Sequence, residues 1–146
     1  MSALFEQSIS VTQQHIDALG HVNNVTYMHW MQDVALAHTT ALGLGLDDFI
    51  HLGHAMVASE HRVKYRKACF LGETLLLRTW LGALTPFSTT RHYLFYRPQD
   101  QAIVFEAQSL FVCVELSSGK LKRLSATFNQ AYQPLSAVLD PTKFQD

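Results

Sequence analysis

One helical pattern constrains this 146-residue chain more than any other feature. From Asn24 to Leu42 it reads NVTYMHWMQDVALAHTTAL. Tyr27, Met28, Met31, Val34, Ala35, His38 and Leu42 fall at helical spacing there, and Trp30 and Ala41 widen the apolar face. A helix apolar over so much of its surface must be largely enclosed. The remainder of the chain supplies the means. LFEQSISVTQQ at 4–14 alternates as a first strand that offers Phe5, Ile9 and Val11 to one face. Gly43 and Gly45 stop the helix, and LDDFIHLG forms a short extra turn. After Gly53 come four period-two runs: HAMVASEHRVKYRKA, ETLLLRTWLGAL, STTRHYLFYR and QAIVFEAQSLFVCVEL. The connections CFLG, TPF and PQD are short enough for antiparallel neighbours. SSGK at 117–120 predicts a hairpin turn into LKRLS, and ATFNQAY a short amphipathic helix before a tail with Pro134 and Pro141. The expected class is α+β: an antiparallel sheet of five to six strands wrapped around one long helix, as one domain over residues 1–146.

Charge narrows the partners. Lys+Arg 11 against Asp+Glu 12 gives a net charge of −1, so no global positive field draws in nucleic acid or an anionic membrane. With 48% hydrophobic and only 16% charged residues, disorder is excluded and a second subunit is expected to cover part of the surface. MSALFEQSIS has no basic start and no long apolar run, so it does not read as a secretory signal, and no stretch approaches the ~20 apolar residues of a membrane span. Cys69 and Cys113 do not make a disulfide framework and fit a reducing cytoplasm; Cys113, inside SLFVCVEL, reads as a buried strand residue. Eight His raise the question of a metal, but no His pair is joined by Cys or carboxylates at zinc-motif spacing, so no metal is expected.

Chemistry gathers where strand turns to helix. HIDALGHVNN at 15–24 holds two His, two Asn, an Asp and a Gly. Asp, Gly and Asn are turn and helix-cap residues in their own right. They also place a carboxylate, Asp17, beside the exposed N–H groups of a helix start, which is how an acyl-transfer site is commonly built.

Three segments carry a family resemblance: D-A-L-G-H-V-N-N-V-T-Y at 17–27, Y-R-K-A-C-F-L-G-E at 65–73 and V-E-L-S-S-G-K-L-K-R-L-S at 114–125. In order and spacing the chain resembles the hot-dog thioesterases of the 4-hydroxybenzoyl-CoA thioesterase type, which hydrolyse acyl-CoA thioesters. The resemblance implies a hot-dog fold, a catalytic carboxylate at Asp17, and a carbonyl-polarising helix-start amide on or next to Asn24. It also implies homodimers or homotetramers with active sites between subunits. Two departures stand out: the family often has Asp-x-Asp where this chain has His15-Ile16-Asp17, and the usual Pro of the second segment is Ala68.

Thioester hydrolysis needs a base or nucleophile, an oxyanion donor, and a groove for acyl chain and CoA. Asp17 suits the first role, either activating water or attacking the carbonyl to give a mixed anhydride. The start of the helix at Asn24 suits the second. Gly20 lets the backbone turn sharply or approach substrate, and His21 either orders Asp17 or the leaving thiolate or packs the loop. Asn23 caps the helix or touches substrate, while Tyr27, Trp30 and Met31 form core or acyl-pocket wall. Phe87, Tyr93, Leu94 and Phe95 set pocket depth according to which face inward. Arg62, Lys64, Arg66 and Lys67 are candidates for the CoA phosphates, with Arg91, Arg97, Lys120, Lys122 and Arg123 as unranked alternatives; Glu60 and Glu73 are the other carboxylates of interest. The expected activity is acyl-CoA hydrolysis with no cofactor, since CoA belongs to the substrate. The alternatives are hydrolysis of a carrier-protein thioester and non-catalytic binding of acyl-CoA.

Overall fold

The structure, a computed structural model, describes residues 4–132. In chain order these form β1 (Leu4–Ser10), a 3₁₀ turn (Gln13–His15), α1 (Asn24–Ala41), α2 (Leu46–Leu52), β2 (His54–Tyr65), β3 (Thr74–Leu84), β4 (Ser88–Arg97), β5 (Ala102–Glu115) and α3 (Ala126–Ala131). The strands make one antiparallel sheet in the order β1-β3-β4-β5-β2. This is the expected hot-dog arrangement, with five strands. The expected tail with Pro134 and Pro141 lies outside the described residues.

Two sequence expectations need correction. The short connection between β2 and β3 suggested neighbours, yet the two strands occupy different parts of the sheet, β2 pairing with β5 and β3 with β1 and β4. The connection is a crossover held by backbone bonds from Val22 N–H to Cys69 O (2.9 Å) and from Gly72 N–H to Val11 O (3.0 Å). LKRLS does not continue as a strand. After one bridge, Val114 to Leu121, the Leu124 N–H bonds Pro86 O at 2.7 Å and the segment leaves the sheet toward the β3–β4 turn.

Asn23 starts α1: its side chain accepts from the Val25 N–H at 2.7 Å, which satisfies one of the helix's orphan donors. The end comes at Leu42, whose N–H reaches His38 O and Thr39 O, followed by Gly43 at φ +89°. Tyr27, Trp30, Met31, Val34 and Ala35 are buried against Leu75 and Leu77 of β3, Tyr93 and Phe95 of β4, and Val104 and Phe105 of β5. Each of these side chains larger than alanine contributes roughly 1.5–3 kcal/mol of apolar burial. Enclosure is nevertheless incomplete. Val25, His29, Gln32, Asp33 and Thr40 stay exposed, because one sheet covers one side of a helix.

A second cluster, with Leu44, Phe49, Leu81, Cys113 and Phe128, seats α2 and α3 at the far end of the sheet. A third, Trp80, Leu94, Tyr96 and Ile103, lies on the face away from α1, so β4 is buried on both sides. Cys69 and Cys113 are buried and unpaired. Among the described residues no helix is long and apolar enough to cross a membrane.

Candidate active site

The segment 16–22 folds as a miniature hairpin. Ile16 bridges Val22, the Asp17 N–H donates to His21 O at 3.0 Å, and the Gly20 N–H donates to Asp17 O at 3.0 Å. Gly20 closes this turn at φ +85°, a conformation that L side chains rarely adopt. Within the turn the Asp17 carboxylate accepts from the Leu19 N–H through Oδ1 at 2.9 Å. Its other oxygen makes no hydrogen bond among the described residues. One oxygen is thus held while the other is available to react.

The hairpin delivers the chain to the start of α1. Three amides follow the cap there, and two are used: Val25 N–H by the Asn23 side chain and Thr26 N–H by Asn23 O at 3.0 Å. The Asn24 N–H has no partner among the described residues. It sits at the positive end of an 18-residue helix, where a developing negative charge is stabilised. Tyr65, at the end of β2, donates its hydroxyl to Asn24 O at 3.1 Å and ties the sheet to this helix start.

The structure therefore brings Asp17, Gly20, His21, Asn23 and Asn24 into one loop. His21 is half-buried with Nδ1 3.2 Å from Val22 O, which leaves Nε2 facing elsewhere. Tyr27 belongs to the core: its ring stacks on Phe105 at 4.9 Å, and burial together with a hydrogen bond to Cys69 pushes its hydroxyl pKa well up. His15 is held by Thr12 N–H at 2.9 Å and packs edge-on against Trp30.

The basic candidates separate. Arg66 pairs with Glu106 at 2.5 Å, and Lys67 is exposed two residues before Cys69, whose carbonyl holds Val22 in the hairpin. Arg62 and Lys64 are exposed opposite Gln108 and Glu106, on the sheet face away from α1. Glu60 shares that face opposite Leu110. Arg97 is committed to Asp100 at 2.7 Å, Glu73 at 3.1 Å and Ala68 O at 2.9 Å, and so clamps the 68–73 loop beneath the site.

A cavity of about 430 Å³ opens between α1 and the sheet. Its helix wall is Met28, Met31, Gln32, Ala35, Leu36 and Thr39, one stripe at spacings of three and four that begins one turn into α1. Of the residues expected to set pocket depth, Met31 and Tyr93 line it. Trp30 and Phe95 lie in the core cluster, Leu94 is on the opposite face, and Phe87 is exposed beneath the Arg123 guanidinium. The sheet wall contains polar groups that sequence reasoning left unplaced. Arg91 donates through Nη1 to His38 Nδ1 at 2.9 Å and to Thr79 Oγ1 at 3.0 Å, and His61 of β2 bonds Ser109 of β5. Alternation alone signalled them, since Arg91 holds an inward position between Thr89 and Tyr93.

The fold is a hot-dog domain whose first loop carries the Asp17 carboxylate and leads into the unpaired amide at the start of α1. The model of the thioesterase-like superfamily matches residues 11–132, and the chain belongs to that family. A Bacillus subtilis (strain 168) protein named "Putative acyl-CoA thioesterase YneP" is 27% identical over 115 residues, 79% of this chain and 83% of that one. A 1,4-dihydroxy-2-naphthoyl-CoA thioesterase from Synechocystis superposes with a TM-score of 0.80 at 17% identity, covering 88% of this chain and 94% of the other. A Staphylococcus aureus protein solved in complex with CoA superposes at 0.85 with 14% identity, covering 97% and 92%.

Proposed function

We propose that the protein hydrolyses acyl-CoA thioesters, with Asp17 as the reacting carboxylate and the Asn24 N–H as oxyanion donor. The observation that carries this reading is the start of α1, where the amides of Val25 and Thr26 are occupied and that of Asn24 is open beside the Asp17 turn. Family membership and the name of the B. subtilis relative support it. In the general-base form, Asp17 takes a proton from water and the hydroxide adds to the thioester carbonyl. The oxyanion rests on the helix start, the C–S bond breaks, and CoA leaves as a thiolate that is then protonated. In the nucleophilic form, the carboxylate oxygen attacks first, the C–S bond breaks to release the CoA thiolate, and water opens the resulting anhydride to the free acid and the Asp17 carboxylate. Neither route calls for a cofactor beyond the CoA of the substrate.

Lys67 borders the loop and suits a CoA phosphate, whereas Arg66 reaches one only by leaving Glu106. Gly20, His21 and Asn23 serve by shaping the loop, and the assembly in this reading is a homodimer or homotetramer acting in the cytoplasm. The test is CoA release from a panel running from acetyl to palmitoyl and including benzoyl and phenylacetyl thioesters, with the parent and Asp17→Asn side by side. Release that collapses in the variant supports the reading. Equal release by both overturns the role of Asp17, and no release from any CoA thioester overturns the activity in favour of a carrier-protein substrate or a binding role.

A further inference from the structure

A buried charge in the cavity has no work in the chemistry above. Arg91 is 2% exposed, lines the cavity, and has no carboxylate partner among the described residues, where the ion pairs engage Arg66, Arg78 and Arg97. Its two hydrogen bonds, to His38 Nδ1 and Thr79 Oγ1, both use Nη1. Nη2 and Nε make none among the described residues. An arginine keeps its proton even when burial lowers its pKa, as it does here. His38, an imidazole, can offer no countercharge, and burial with the neighbouring guanidinium lowers its pKa to about 4, which keeps it neutral. The guanidinium therefore holds an uncompensated positive charge in a chamber with no carboxylate among its described lining residues, an arrangement that costs stability unless something anionic completes it.

Position tells what could complete it. His38, the partner of Arg91, lies about 21 Å along α1 from Asn24, and the stripe from Met28 to Thr39 lines the cavity over most of that distance. Across the sheet Arg91, Ser109 and His61 are successive cross-strand partners on the inner face, so a row of polar groups crosses the sheet on the cavity side. The lining residue nearest the proposed oxyanion donor is Met28, one turn along α1 from Asn24, and the cavity runs from there to a cation.

We propose that the cavity selects acyl groups ending in a carboxylate, so that the favoured substrate is the monothioester of a dicarboxylic acid whose free end pairs with Arg91. A carboxylate matches the planar donor fork of a guanidinium and neutralises it; a hydroxyl satisfies one N–H and leaves the charge; a methyl does neither. For the reacting end the inference rests on the thioesterase reading, while the pairing at Arg91 is independent of turnover.

Two measurements on the full chain test it. In the first, kcat/KM is compared for acyl-CoAs of equal length ending in methyl, hydroxyl or carboxylate, over a series of lengths, with the parent, Arg91→Met and Arg91→Lys. In the second, calorimetry compares binding of the monomethyl ester of a dicarboxylic acid with that of its dimethyl ester. The expected result is a preference for the carboxylate end of about tenfold or more at the best length, lost or reversed in Arg91→Met and partly kept in Arg91→Lys. The monoester should bind the parent more tightly than the diester. A parent that favours methyl ends at every length and binds both esters alike overturns the proposal, as does a carboxylate preference that survives Arg91→Met. If Arg91→Met does not fold, the parent series and Arg91→Lys decide the matter. Arg91-dependent monoester binding without turnover of any thioester sustains the pairing and overturns only the thioesterase reading.

Discussion

Asp17 is held by one oxygen and free at the other, a division that makes its two chemical roles separable by experiment. Asp17→Asn keeps an oxygen able to accept from Leu19 N–H, so the expected outcome is an unchanged unfolding curve with turnover reduced on the order of 10²–10⁴. Single turnover in ¹⁸O-labelled water with hydroxylamine trapping then distinguishes the routes: label in Asp17 itself, found by mass spectrometry of the peptide, or a hydroxamate formed at Asp17 identifies the nucleophile, and label in the product acid with no trapped anhydride identifies the base. Asn23 works through the backbone. Asn23→Ala should cost about 1 kcal/mol in urea unfolding, because the Val25 N–H loses its cap. His38 gives a pH signature. Its folded pKa of about 4 lies below the ordinary 6.5, so the unfolded chain binds more protons in that window. Stability should fall as pH drops from 6.5 toward 4, and His38→Gln should flatten that part of the unfolding profile. Stable pH-independent unfolding in the parent would contradict a neutral buried imidazole at this site.

At the scale of elements, α1 was the most legible part of the chain because its apolar spacing persists over five turns, and the structure begins it at the expected Asn24. Strand identity was legible for the same reason. Strand neighbours were not: a short connection between β2 and β3 reads as a hairpin, and only the bonds from Cys69 and Gly72 into the first loop show that it bridges distant strands. The loop carrying Asp17 was visible through its turn residues, whereas the open Asn24 amide depends on where Asn23 directs its own oxygen, which no spacing reveals. Arg91 sat in plain alternation, but alternation does not say which face meets the helix and which meets the third cluster around Trp80 and Leu94. The helix stripe makes its own prediction. Leu36 is half-buried on the cavity wall, so Leu36→Trp narrows the passage without overfilling the core. Long acyl-CoAs should lose about tenfold in kcat/KM while the shortest are turned over as before.

Among the described residues the sheet is left uncovered along one side. β2 forms one edge of the sheet for twelve residues, and from Val57 to Arg62 its side chains are exposed. A long uncovered edge strand invites pairing with another copy unless charge or a bulge prevents it, and the bulge between Ala58 and Glu60 interrupts only its middle. The exposed stripe of α1 and the exposed apolar residues Leu19, Val25, Phe70 and Leu71 lie on α1, on the Asp17 loop and on the crossover bonded to it. Covering the β2 edge and this side of α1 with a second copy would remove apolar surface from water and shut bulk solvent out of the cavity mouth. The expected outcome in light scattering after size exclusion is a mass at least twice the 16.5 kDa of the chain, persisting on dilution. Val57→Lys replaces an exposed apolar group of this edge strand with a charge, and it should shift the mass toward the monomer. If the site depends on that cover, CoA release should fall with the mass. A fully active monomer at every concentration would show that the Asp17 loop and the cavity are complete within one chain.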